Sequence, residues 1–132
     1  MKSKWKLHDR EYQFACIVWQ HEPIASGELT KICEKELQWK RTTTYTVLKK
    51  LCDRGILINE NTMVRSLVKK EQIQQEESQN FIQRVFDNSF SSFVASFAKE
   101  RPLSESEIQA LRELIDSYEE KSVNKNAQKG PT

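Results

Sequence analysis

The sequence predicts a mainly α protein, on three observations. Three segments of helical apolar periodicity follow one another in the front half. A pair of short β-prone runs comes directly after a glycine. The back half then turns helical again and gathers the phenylalanines.

The first helix is expected to start near Asp9 as N-cap and to run to about Gln20. Tyr12, Ala15, Cys16 and Trp19 give its stripe, widened by Phe14, Ile17 and Val18, and Pro23 stops it. Ser26 is the expected N-cap of a second helix, with Leu29, Ile32 and Cys33 at i, i+3, i+4. A short connection, "LQWK", leads into the third helix, which contains the stretch "WKRTTTYTVLKKLCDRGIL". At about 100° per residue, Thr44, Val47, Leu48 and Leu51 share one side, while Thr42, Tyr45, Thr46, Lys49 and Asp53 share the other. Gly55 is placed to close this helix in the left-handed conformation. Two β-prone runs, 56–58 and 63–68, flank "NENT" and read as a two-stranded hairpin. Three helices followed by a hairpin is the order of a winged helix-turn-helix domain with a short two-stranded wing, expected over residues 1–70.

Five of the six phenylalanines lie between Phe81 and Phe97. Phe90, Phe93, Val94 and Phe97 are spaced i, i+3, i+4, i+7, and Pro102 ends that helix. Ser104 and Glu107 form a capping box for a last helix with the stripe Ile108, Leu111, Ile115, Tyr118. So few residues bury such stripes poorly on their own. Residues 71–121 are therefore expected to form a helical dimerisation domain, its interface made by Phe81, Val85, Phe86, Phe90, Phe93, Val94, Phe97, Ile108, Leu111 and Ile115. The alternative is that these helices fold back on the first domain. Residues 122–132 read as a disordered tail.

Charge follows the same division. Residues 1–70 carry 14 Lys/Arg against 8 Asp/Glu, a surplus of +6; residues 71–132 carry 7 against 11, or −4. A basic front fits contact with a polyanion. The third helix supplies the chemistry. Thr hydroxyls bond phosphates or base edges, the Thr methyl packs on the thymine methyl, and Lys and Arg neutralise phosphates. The expected DNA-contact set is Lys40, Arg41, Thr42, Thr43, Tyr45, Thr46, Lys49 and Lys50; the short wing, where Glu60 opposes Arg65, is expected to contribute little or to reach phosphates only through Arg65 and the nearby Lys69. A merely solvated helix face would favour Glu, Lys, Gln and Ala over four threonines within residues 42–46. The alternative is a winged helix that turns the same face to a partner protein.

Other classes find little support. No P-loop, GxGxxG or HExxH is present, and His8 and His21 read as surface or capping residues, so no enzyme and no cofactor is expected. Cys16, Cys33 and Cys52 form no CxxC pair and lack ligand-like spacing to the histidines, so no metal site is expected. No apolar run is long enough to cross a bilayer and no signal peptide opens the chain, so a cytoplasmic location without membrane insertion is expected.

The stretch "WKRTTTYTVLKKLCDRGIL", with "EYQFACIVW" before it and "SLVKK" after it, resembles the penicillinase-repressor family. The later "SQNFIQRVFDNSFSSFVASFAKERPLSESEIQALRELI" resembles the dimerisation region of that family. The resemblance implies homodimeric repressors that bind a palindromic operator and control β-lactam resistance genes. It implies also a membrane-bound sensor-protease pathway that ends repression by cleavage before a Phe, a position matched here by Ser96 and Phe97. Ser96 replaces the usual Asn, Thr42 stands where relatives often carry a basic residue, and Tyr45 stands where they carry an Arg. The cysteine-rich tail of a copper-responsive branch has no counterpart.

Overall fold

A computed structural model describes residues 5–129 of the chain, with side chains described through residue 122. The start of the basic arm and the last three residues of the tail lie outside the described residues. The element order is α1 (Asp9–His21), β1 (Ile24–Ala25), α2 (Ser26–Leu37), α3 (Arg41–Asp53), β2 (Leu57–Glu60), β3 (Met63–Ser66), α4 (Lys70–Phe86), α5 (Phe90–Glu100) and α6 (Glu105–Lys129). This is a winged helix-turn-helix followed by further helices. The chain divides into two compact units that meet between Asn88 and Ser89.

Helix α1 is capped one residue earlier than expected: His8, not Asp9, is the N-cap, and the Glu11 carboxylate accepts the His8 backbone N–H at 2.9 Å. Its end before Pro23 follows from the ban on helical geometry ahead of a proline. Ser26 is not the cap of α2; Ala25 is, and Ser26 is the buried first helical residue. The reason lies in the sheet. Ala25 is held extended by pairing with Met63, and the Ser26 N–H donates to the Thr62 carbonyl at 2.8 Å. The two-stranded wing is therefore a three-stranded antiparallel sheet in the order β1-β3-β2. Two residues, Ile24 and Ala25, are too few to show an alternating pattern in the sequence.

Between β2 and β3 the turn is made by Asn61 (φ 51°) and Thr62 (φ 65°), both left-handed. Paired left-handed residues give the hairpin twist that two-residue loops require. Gly55 (φ 77°) closes α3 as expected, with its N–H on the Cys52 carbonyl. Gln38, also left-handed, closes α2 and turns the chain into α3.

The core of the first unit joins Phe14 and Val18 of α1, Leu29 and Cys33 of α2, Leu48 and Leu51 of α3, and Ile56, Leu57 and Val64 of the sheet. Trp39, in the turn before α3, stacks on Phe14 at 5.6 Å and is almost fully buried. Ile73, 1% exposed, secures α4 to this unit. The Trp19 indole N–H donates to the Val68 carbonyl at 3.0 Å, and the Leu7 N–H donates to Glu77 at 3.2 Å. At the end of α1, the Glu22 carboxylate accepts the Ser66 N–H (2.8 Å) and hydroxyl and pairs with Lys69 at 3.4 Å. Arg54 ties α3 to α1 through Glu11 at 3.2 Å and also donates to the Lys6 carbonyl.

In the second unit Ser89 caps α5, accepting the Ser92 N–H at 3.2 Å, and Ser104 and Glu107 form the expected box at the start of α6. Helix α6 runs to Lys129, into the segment expected to be disordered. No Gly or Pro interrupts that stretch before Gly130.

Candidate nucleic-acid interface

The apolar side of α3 is fixed. Leu48, Leu51 and Thr44 are buried, and Val47 is half-buried. The Thr44 hydroxyl has no oxygen or nitrogen partner; it lies by the Cys33 thiol, whose pKa burial pushes up to about 11 against the Thr44 hydrogen bond. Packing of this side obliges the other to face outward. Lys40, Arg41, Thr42, Thr46, Lys49 and Lys50 are exposed, while Thr43 and Tyr45 are half-buried. The eight expected contact residues of α3 and its N-cap thus include none in the core.

The start of α3, like that of α5, carries no acidic residue in its first turn, and unlike that of α5 it opens on two cations. Helices α1, α2, α4 and α6 carry acidic residues in their first turn; α3 has none and begins with Lys40 and Arg41 instead. Its N-cap side chain makes no capping hydrogen bond. A cation near a helix N-terminus typically costs about 0.3–1 kcal/mol, because the helix dipole is already positive there. Open N–H groups, a positive dipole end and two cations together favour an incoming anion. The Thr46 hydroxyl donates to the Thr42 carbonyl at 2.9 Å, which leaves its methyl group and its acceptor capacity exposed.

Tyr45 is held on both sides. Its hydroxyl donates to Ser26 Oγ at 3.5 Å, and the Arg41 guanidinium lies over its ring, 5.7 Å from the centroid. The Ser26 and Arg41 hydrogen bonds hold its phenol below the usual range.

The wing cations are engaged within the fold. Arg65 pairs with Glu60 at 3.1 Å, and Lys69 with Glu22 and the Ser66 hydroxyl. Glu60 and Arg65 are diagonal neighbours across the β2–β3 ladder, which pairs Ile58 with Arg65 and Glu60 with Met63. Glu60 is the acidic wing residue that the sequence already sets against Arg65, whereas the partners of Lys69 leave no signal in it. Nor does the sequence show Ser26 as the buried anchor behind Tyr45; only the pairing of β1 with β3 puts it there.

In the second unit, Phe90, Phe93, Val94 and Phe97 of α5 face Leu111 and Leu114 of α6 across an open apolar cleft of about 380 Å³. Phe90 remains 62% exposed and Ile115 56%. Phe93, Val94 and Leu111 are half-buried, and Phe97 and Ile108 stay exposed. On α4, Phe81 and Val85 are exposed and Phe86 is half-buried, the two rings 5.8 Å apart. Ser96 and Phe97 fall within the helical span of α5.

Among the described residues no group of three or more His, Cys, Asp or Glu is placed to hold a metal, and no helix is long and apolar enough to cross a membrane. The three cysteines are free.

The family model described as penicillinase repressor matches residues 7–117. The methicillin resistance regulatory protein MecI of Staphylococcus aureus strain Mu50 is 25% identical over 116 residues, covering 85% of this chain and 94% of that one. The penicillinase repressor of Bacillus licheniformis is 26% identical over 123 residues, covering 89% and 95%. A solution structure of the DNA binding domain of the repressor BlaI aligns with a TM-score of 0.47 at 24% identity, over 55% of this chain and 93% of that one. With the family model matched over most of its length, the chain belongs to the penicillinase repressor family, a family of transcriptional repressors and not of enzymes.

Proposed function

We propose that the protein is a homodimeric transcriptional repressor that binds a palindromic operator through α3. The observation that carries this is the start and outer face of α3: cations at Lys40, Arg41, Lys49 and Lys50, with Thr42 and Thr46 between them, all exposed over a buried back. A helix so armed fits the major groove, its first turn at base edges and its flanking cations at phosphates. The relatives named as regulators of methicillin resistance and penicillinase support control of β-lactam resistance or related genes.

Dimerisation accounts for the apolar surface left on α5 and α6, since two copies presenting Phe90 and Ile115 to each other remove it from water. A C2 dimer then matches the two half-sites of a palindrome. Repression ends when a membrane-bound sensor-protease pathway leads to cleavage between Ser96 and Phe97. Both residues are exposed, but the peptide sits in a helix and must open locally before a protease can seat it.

A gel shift with the promoter of the chain's own operon tests the reading. Thr46→Ala and Lys49→Ala are each expected to weaken binding about tenfold, the scale of one charge-assisted hydrogen bond, with no change in dimer mass. Unchanged affinity in both variants refutes it.

A further inference from the structure

We propose that Arg41, seated on the Tyr45 ring, is the guanine-reading residue of the interface, and that Tyr45 and Ser26 are its positioning residues. This rests on the proposed binding of duplex DNA by α3. Arg41 is the first residue of α3, the part of a recognition helix that meets base edges. Its guanidinium lies 5.7 Å from the centroid of the Tyr45 ring, one helical turn on. With one N–H toward the Tyr45 hydroxyl, a guanidinium held over the ring still has N–H donors left in its planar fork for the paired acceptors O6 and N7 of guanine.

The support behind it is fixed. Tyr45 is half-buried and its hydroxyl donates to Ser26 Oγ. Ser26 is 5% exposed, and its N–H is bound to the Thr62 carbonyl in the hairpin turn. A platform braced from α2 and the sheet limits the rotamers of Arg41 before DNA arrives, so less entropy is lost on contact. The other exposed cations of the face, Lys40, Lys49 and Lys50, are lysines, compact charges suited to phosphate. Arg41 alone among these four offers a rigid planar pair of N–H donors for a bidentate base contact.

Arg41→Lys keeps the charge and removes the fork; Tyr45→Phe keeps the ring and removes the Ser26 link; Tyr45→Ala removes both. The probe is a duplex that the wild-type protein selects from a randomised pool, with a set carrying every single base-pair change. If the wild type selects no sequence, the DNA-binding reading itself fails. Given a selected duplex, Arg41→Lys is expected to lose roughly 5- to 100-fold in preference at one G·C pair per half-site, with discrimination elsewhere kept. Tyr45→Ala should relax the same pair, and Tyr45→Phe should relax it to a lesser degree, the share that the Ser26 link carries. Circular dichroism confirms that each variant is folded. A uniform loss over all duplexes, or full discrimination in Arg41→Lys, would make Arg41 a phosphate contact and overturn the proposal.

Discussion

Glu22 shows how single residues hold the front of the molecule in shape. Burial by itself would raise its pKa, but the Ser66 N–H, the Ser66 hydroxyl and the Lys69 charge outweigh burial and hold it below the usual carboxylate range. A carboxyl whose pKa is lower in the folded than in the unfolded chain stabilises the fold above its unfolded value. That contribution is lost as pH falls through the depressed folded value. Stability is therefore expected to decline as pH drops below about 4.5, the ordinary value for this group. Glu22→Gln should lower stability at neutral pH by about 1–3 kcal/mol, from weakened hydrogen bonds to partly buried groups, and should flatten the acid limb. Urea unfolding of both proteins across pH 3–7, a window spanning the carboxylate range, checks this. Parallel acid limbs would mean that Glu22 is not the group responsible. The same contact explains why Lys69 has a partner within the fold, which its charge alone did not reveal in the sequence.

Among the elements, the helices were the most legible. The 3.6-residue period located α1 and α3, and Leu48 and Leu51 of α3 are buried as that spacing expects; in α1 the buried side is carried by Phe14, Ile17 and Val18, which only widened the expected stripe, while Tyr12, Cys16 and Trp19 are half-buried. The outer face of α3 could be read for the same reason: once one side is assigned to the core, the rest follows by rotation. The sheet was read only in part. The β2–β3 hairpin has a turn signal, whereas β1 exists because Ile24 and Ala25 meet Val64 and Met63, residues far along the chain. Ser26 was misassigned with it, and the support beneath Tyr45 was lost from view. Trp39 was passed over as part of a connection, since burial of a lone aromatic in a turn depends on a tertiary partner, here Phe14. The hairpin itself carries a testable cost. Thr62 is β-branched and left-handed, a conformation that costs non-glycine residues about 1–2 kcal/mol. Thr62→Gly keeps the carbonyl that binds Ser26 and is expected to stabilise the fold by about 0.5–1 kcal/mol, after the larger unfolded-state entropy of glycine is subtracted. A thermal melt reads this directly; a lower midpoint would show that the Thr62 side chain contributes more than its backbone costs.

For the whole molecule, the division of labour follows the charge and the apolar surface. The basic first half holds the α3 face, and the acidic second half holds helices that leave large apolar side chains in water. Phe90→Asp or Phe93→Asp is expected to convert the proposed dimer to monomers, because a carboxylate cannot be buried in an apolar interface without a partner. Sedimentation velocity should show the halved mass, and operator affinity should fall with it, since paired half-sites need both copies. An intact dimer in both variants would place the interface elsewhere.

The most direct test of the α3 face is the salt dependence of binding between the wild-type protein and its selected duplex. The expected plot of log affinity against log salt is steeply negative, and Lys49→Ala should make it shallower by about one unit, the loss of one phosphate contact. A wild-type affinity indifferent to salt, or a slope untouched by Lys49→Ala, would contradict it.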